Sequence, residues 1–116
     1  MSARKINALG EIVISDEVLA TLAGVTAVKC YGIVGMASKR ASDGIVQLLG
    51  IENLSRGVKV QTTEDDIEID LFIIVEYGVS ISTVAKNVIE TVKYSVENYT
   101  GLTVDRVNVF VESVRV

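Results

Sequence analysis

The feature that most constrains the fold of this sequence is a switch of hydrophobic period along its second half. Over residues 58–75, apolar or β-branched side chains recur at every second position: Val58, Val60 and Thr62, then Ile67, Ile69, Leu71, Ile73 and Val75. Lys59, Gln61, Glu68 and Asp70 occupy alternate places. Successive strand side chains point to opposite faces, so this pattern predicts two strands with one buried face. The polar Glu64-Asp65-Asp66 between them predicts a turn and therefore a hairpin. Phe72 and Ile74 break the alternation, so the second strand becomes apolar on both faces and should be covered there. After Gly78 the period lengthens. Ile81, Val84, Ala85, Val88, Ile89, Val92 and Val96 fall on one helical stripe, with Lys86, Asn87, Glu90 and Glu97 off it. Ser80 or Ser82 is the candidate N-cap, and Gly101 the left-handed residue that ends the helix.

The flanking segments are read in the same way. Residues 10–15 read as a short strand feeding a first helix. Ser15 is its N-cap, Asp16 and Glu17 stand at its positive end, and it extends to about Lys29. Gly24 and several β-branched residues make this helix intrinsically weak, so packing must hold it. Residues 31–37 read as a small apolar strand or turn. Residues 38–57 are the least regular stretch, with Asp43 placed to cap a helix of about two turns. At the end of the chain Val107, Val109 and Val111 alternate, and the parity then shifts to Val114 and Val116. Such a shift predicts a bulge or a strand that outruns its sheet. The order strand, helix, strand, hairpin, helix, strand predicts a two-layer α+β domain. Its two main helices should pack on one face of a mostly antiparallel sheet, in a single domain spanning residues 1–116.

Composition narrows the function. The sequence has no His and a single cysteine, Cys30. The commonest general base and metal ligand is therefore missing, no internal disulfide can form, and a reducing, cytoplasmic location is expected. The formal charge of −4 opposes binding to a phosphate backbone, so no nucleic-acid partner is expected. The longest unbroken apolar run, residues 71–75, is far short of the ~20 residues a membrane span needs. No leader is expected, because no apolar stretch follows Met-Ser-Ala-Arg-Lys. Yet 49% of residues are hydrophobic and the mean hydropathy is +0.43. That is more apolar side chain than a small globule must bury, which predicts cover by a second subunit, a partner or a membrane surface.

Each motif has a plain structural explanation beside its functional one. Gly32-Ile-Val-Gly35 has the spacing of a KH-type backbone clamp, but the segment is apolar and suits a tight packed turn better. Glu64, Asp65 and Asp66 could face a hard cation, but the further oxygen ligands are lacking and a solvated turn suffices. Cys30 has no neighbouring base except Lys29 and reads as a small buried side chain. The tyrosines at 31, 77, 94 and 99 read as core edges. No catalytic, metal or cofactor site is expected. The stretch around Lys39, Arg40, Ile45, Leu48, Leu49 and Ile51 sets short apolar side chains beside basic ones, which suits partner docking or a lid over the core.

Several of these stretches together resemble a known family. They are Gly10, Ile12, Ile14 and Ser15 with Val18; residues 30–38, Cys-Tyr-Gly-Ile-Val-Gly-Met-Ala-Ser; and residues 55–60, Ser-Arg-Gly-Val-Lys-Val. They continue with Ile69, residues 73–78 with Ile81 and Val84, residues 92–94, Gly101-Leu102 and residues 107–109. Across nearly the whole chain the sequence resembles the alkaline-shock family of bacterial envelope stress response proteins, and its small YloU-like branch in particular. It departs from the family's usual Glu-Val-x-Gly-Val before Gly-Met, having Lys29-Cys30-Tyr31-Gly32-Ile33 instead. The resemblance implies a cytoplasmic, non-enzymatic interaction protein. Its role would be in envelope stress through a membrane-anchored partner, or in lipid metabolism. Self-association into a homo-oligomer is expected from the apolar final strand. A small-ligand regulatory module of ACT-like layout and an RNA-binding module remain as alternatives.

Overall fold

The computed structural model describes residues 2–38, 48–63 and 66–116. Its main sheet is organised around one long strand, β5 (Ile67–Glu76). On one edge β5 pairs in parallel with β6 (Arg106–Arg115), from Glu68↔Arg106 to Glu76↔Arg115. That fills the edge, so the two shorter strands share the other. Antiparallel β4 (Val58–Thr62) runs from Leu71 back to Ile67, and antiparallel β3 (Ile33–Met36) pairs with residues 73–75. The hairpin of β4 and β5 matches the alternation in sequence. The turn residues Glu64 and Asp65 lie outside the described residues; Asp66 closes the turn by accepting from the Thr63 amide at 2.9 Å.

Helix α1 (Asp16–Val28) begins as its sequence predicts, with Ser15 Oγ accepting from the Val18 amide at 3.3 Å. Helix α2 (Ile81–Thr100) ends at Gly101 in the left-handed conformation, φ 74°. Ser80 occupies its N-cap position, but its hydroxyl meets Thr83 Oγ1 at 3.0 Å instead of a backbone amide. Both helices pack on the same face of the sheet. Val84, Val88, Val92 and Val96 of α2 join Ile67, Ile69, Leu71, Ile73 and Val75 of β5 and Leu19, Ala23 and Ala27 of α1 in one core. Each fully buried valine is worth roughly 1.5–3 kcal/mol over exposure. Ile89, placed by its spacing on the core stripe, sits half-buried at its margin. It follows Val88 by one residue, about 100° around the helix, and so falls on the flank.

Two departures from the sequence reading concern strands. The segment before Gly10 is itself a strand, β1 (Ser2–Asn7), and pairs with β2 (Gly10–Ser15) in a separate two-stranded hairpin. Asn7 Oδ1 fixes its turn, accepting from the amides of Leu9 and Gly10 at 2.8 and 3.1 Å. The last strand runs parallel to β5, because α2 carries the chain back along the sheet before β6 begins and a helical crossover returns a strand in the same direction. The parity shift is a real bulge: Ile73 pairs with Val111 and Ile74 with Ser113, leaving Glu112 as the extra residue.

The expected two-turn helix at Asp43 lies outside the described residues. Residues 51–57 form a 3₁₀ segment, Ile51–Gly57, that leads directly into β4.

If β5 is the centre of the core, Ile73→Ala should lower the free energy of unfolding by about 2–5 kcal/mol, and Ile89→Ala by less than half as much. Urea unfolding of both variants checks this; equal losses would put Ile89 as deep as Ile73.

Candidate functional site

Residues 38–57 leave and rejoin the sheet at neighbouring points. The Ala37 amide donates to Phe72 O at 2.8 Å, and Val58 pairs with Leu71. The ends are so close that a Cβ on Gly57 would stand 2.7 Å from Ala37 O. Surface loops closed in this way commonly carry function.

Of the candidate docking residues in this loop, Lys39, Arg40 and Ile45 lie outside the described residues. The structure separates the other three. Leu49 is 7% exposed and belongs to the core, its amide donating to Met36 O at 2.9 Å. Its side chain anchors the loop in the core and does not face solvent. Leu48 bridges to Ala37 and is 41% exposed. Its Cδ1 lies 2.6 Å from the place of a Cβ on Gly35, so it folds over the strand on the space glycine leaves. Ile51 is 86% exposed. The apolar surface this loop presents, among the described residues, is therefore Ile51 and the outer part of Leu48.

A second apolar surface was not legible as such in the sequence. The hairpin of β1 and β2 exposes every residue from Arg4 to Val13, with Leu9 at its tip 98% exposed and Ile6, Ile12 and Val13 also exposed. It is tied down at its base, where Ala3 is buried and Lys5 Nζ donates to Gly101 O at 3.1 Å. Arg4 and Glu11 pair across its outer face at 3.3 Å. A two-stranded hairpin is marginal alone in water, so this one depends on its anchor.

A groove of about 540 Å³ runs between the outer sides of α1 and α2. Thr21, Thr26, Thr91 and Ser95 give it a hydroxyl lining, and Tyr31 and Tyr99 also border it. The polar spacing Asn87, Thr91, Ser95 along α2 was the available sequence signal for it. Cys30 opens on this groove, its thiol donating to Thr26 O at 3.6 Å. Burial pushes the thiol above its ordinary pKa, and a hydrogen bond with Thr91 offsets part of this. Gly32, with φ +84°, turns the chain from the end of α1 into β3, and a Cβ there would meet Val84 Cγ2 at 2.6 Å. Gly32 thus packs the helix-to-strand turn, and Gly35 lies within β3. A KH-type clamp needs its glycines in a loop between two helices, which this is not.

The carboxylates of Glu68 and Asp70 converge on the open face of the sheet, where Asn108 Nδ2 donates to both, at 3.0 and 2.8 Å. Among the described residues, no group of three or more Cys, Asp or Glu is placed to hold a metal ion. None of their helices is long and apolar enough to cross a membrane.

A profile of the alkaline-shock family, described by a cell envelope-related function, matches residues 4–116. The chain is 55% identical over 108 residues to the uncharacterized protein YloU of Bacillus subtilis, covering 92% of this chain and 90% of that one. It is 46% identical to the uncharacterized protein Spy1614 of Streptococcus pyogenes, over 92% of this chain and 89% of that one. It is 34% identical to the uncharacterized protein YqhY of Bacillus subtilis, over 92% and 78%. Among solved structures, a zinc form of the MamM C-terminal domain superposes with a TM-score of 0.49 at 14% identity, over 85% of this chain and 82% of that one. That likeness is too slight to carry an argument.

Because burial favours the neutral thiol, the folded pKa of Cys30 lies above the unfolded one. Its contribution to stability is then complete below the unfolded value and fades as pH rises through the folded value. Alkylation of native Cys30 by iodoacetamide should be slower than in the urea-unfolded chain, with its half-maximal rate reached at a higher pH than in that chain. A native rate equal to the unfolded rate at neutral pH would contradict this.

Proposed function

The chain belongs to the alkaline-shock family, and from that premise we propose that it is a non-enzymatic interaction protein of the cell envelope, working from the cytoplasmic side. It docks a protein partner that is itself membrane-anchored or serves lipid metabolism. The observation that carries this reading is the apolar surface left outside the core: Leu9 and Ile12 on the hairpin, Ile51 and Leu48 on the loop. Isolated surface apolar residues are ordinary, but these cluster on two projecting segments. No His is available as a general base, and the one thiol is held neutral. Both features fit binding better than catalysis.

A second reading, small-ligand binding, has one observation in its favour. The groove between α1 and α2 is within the size range of ligand pockets, about 300–1,000 Å³. A compound that fills it should raise the melting temperature, since a ligand bound only to the folded state stabilises it.

Docking is tested by charge placed on the exposed loop. Ile51→Asp should leave the melting temperature within a few degrees of the parent, because the side chain is solvent-facing. It should abolish recovery of the protein with the membrane fraction of its host. Leu49→Asp should unfold the protein, because it buries a charge in the core. An Ile51→Asp protein that is folded and still recovered with membranes would remove the loop from the docking surface.

A further inference from the structure

The outer edge of β6 is the longest sheet edge without a neighbour: β5 lines one side of it throughout, and among the described residues no strand pairs with the other. Unpaired backbone groups along a strand invite another strand, and natural edges are commonly blunted by Pro, inward charges, Lys or a bulge. Here the bulge falls at Glu112. Upstream of it, residues 107–111, Val-Asn-Val-Phe-Val, carry no charge and no Pro, and Arg106 and Glu112 bracket them. Phe110 is 45% exposed and Val111 is 36% exposed. The shorter β4, by contrast, sets Lys59 on its open face opposite Asp70.

We propose that residues 106–112 of β6 pair antiparallel with the same residues of a second copy of this chain, about a two-fold axis through Val109. The regular part of the strand fixes this register. It starts at Arg106 and ends at the bulge, so Val109 is its midpoint. Symmetric pairing about Val109 sets Arg106 opposite Glu112 of the other copy, twice in the dimer. It sets Val107 opposite Val111 and Asn108 opposite Phe110.

The faces agree as well. Val107, Val109 and Val111 pair on β5 with Ile69, Leu71 and Ile73, all on the helix-covered face. Asn108 and Phe110 pair with Asp70 and Phe72 on the open face, and the Phe72 and Phe110 rings stack with centroids 5.0 Å apart. The two sheets then join into one, with all four helices on the same side, and each copy presents the same patch to the other. The alternative register, centred between Phe110 and Val111, sets Arg106 against Arg115 and is disfavoured by like charge.

The test is charge reversal in the full chain, read by sedimentation equilibrium, with circular dichroism confirming the fold of each variant. The parent should dimerise reversibly. Arg106→Glu and Glu112→Arg should each raise the dimer dissociation constant by about tenfold or more, since two opposed-charge pairs become like-charge pairs. Mixing the two variants should restore dimerisation to within about threefold of the parent, because every cross-strand pair in that heterodimer is again Arg with Glu or its reverse. Where a reversal disturbs folding, Arg106→Gln and Glu112→Gln replace it. Each should weaken the dimer by a smaller factor, and mixing the two should recover part of the loss, because their heterodimer keeps one of the two Arg–Glu pairs. Three results overturn the proposal: a monomer at all concentrations up to about 1 mM, a dimer indifferent to both reversals, or reversals whose mixture stays dissociated. The first would leave the β6 edge to a strand from a different protein, and the second would place the dimer contact elsewhere.

Discussion

Everything in this fold depends on β5 being a strand with only two edges. A parallel partner long enough to pair with residues 68–76 occupies one edge completely. The remaining edge must take both β3 and β4, which meet end to end opposite residues 71–73. The chain between them cannot continue along the sheet. It must leave at Ala37 and return at Val58, beside its point of departure, and this makes residues 38–57 a closed excursion. Leu48 and Leu49 show how such a loop is held. They are consecutive and point opposite ways, Leu49 into the helix-side core and Leu48 over Gly35 on the other face. One residue on each side of the sheet edge clamps the loop, and the position of Ile51 outside the core follows from that clamp.

How much of this was legible follows from the range of each signal. Periodicity is local, so β4, β5, α2 and the bulge in β6 were all readable from side chains a few residues apart. Val111 and Val114 alone announce the change of register. The direction of β6 was not, because nothing within the strand says which neighbour it will meet. β1 was missed because Arg4, Lys5 and Ile6 do not alternate with a buried face; only the Asn7-Ala-Leu-Gly10 turn hinted at a hairpin. The docking set was read from composition, which marks apolar residues without saying which of them the core will take. Leu49 and Ile51 stand two residues apart with the same character, and only the bridge between Ala37 and Leu48 decides that one is anchor and the other surface. Of the groove between the helices only the α2 side left a trace, in the spacing of Asn87, Thr91 and Ser95, because its two walls belong to elements far apart in sequence.

The open face of the sheet changes character along β5, and this bears on what the protein can bind. At one end Glu68 and Asp70 would repel each other as bare carboxylates, and the amide of Asn108 bridges them. A neutral donor satisfies both acceptors without adding charge, so the pair is complete as it stands. Next along the strand, Phe72 stacks on Phe110, their planes 14° apart. Beyond that Ile74 is fully buried although both helices lie on the opposite face. Its register partner on β3 is Gly35, over which Leu48 folds. The face thus runs from a satisfied polar end, through an aromatic pair, to an end already covered by the loop.

The hairpin extends the same logic to the other end of the molecule. Its strands pair only with each other, so its stability depends on what holds its base. Lys5 bonds to the carbonyl of Gly101, the residue whose left-handed conformation ends α2. The next turn of chain is secured by Thr100 Oγ1, which accepts from the Leu102 amide, and by Glu97, which accepts from Val104. The end of α2 is therefore a junction. It closes the helix, starts the descent into β6 and carries the base of the exposed hairpin. The hairpin tip and the edge of β6 are both set by where that helix stops. A partner that draws on either is reading a position fixed by the core valines of α2, and the surface is no more rigid than the packing beneath it.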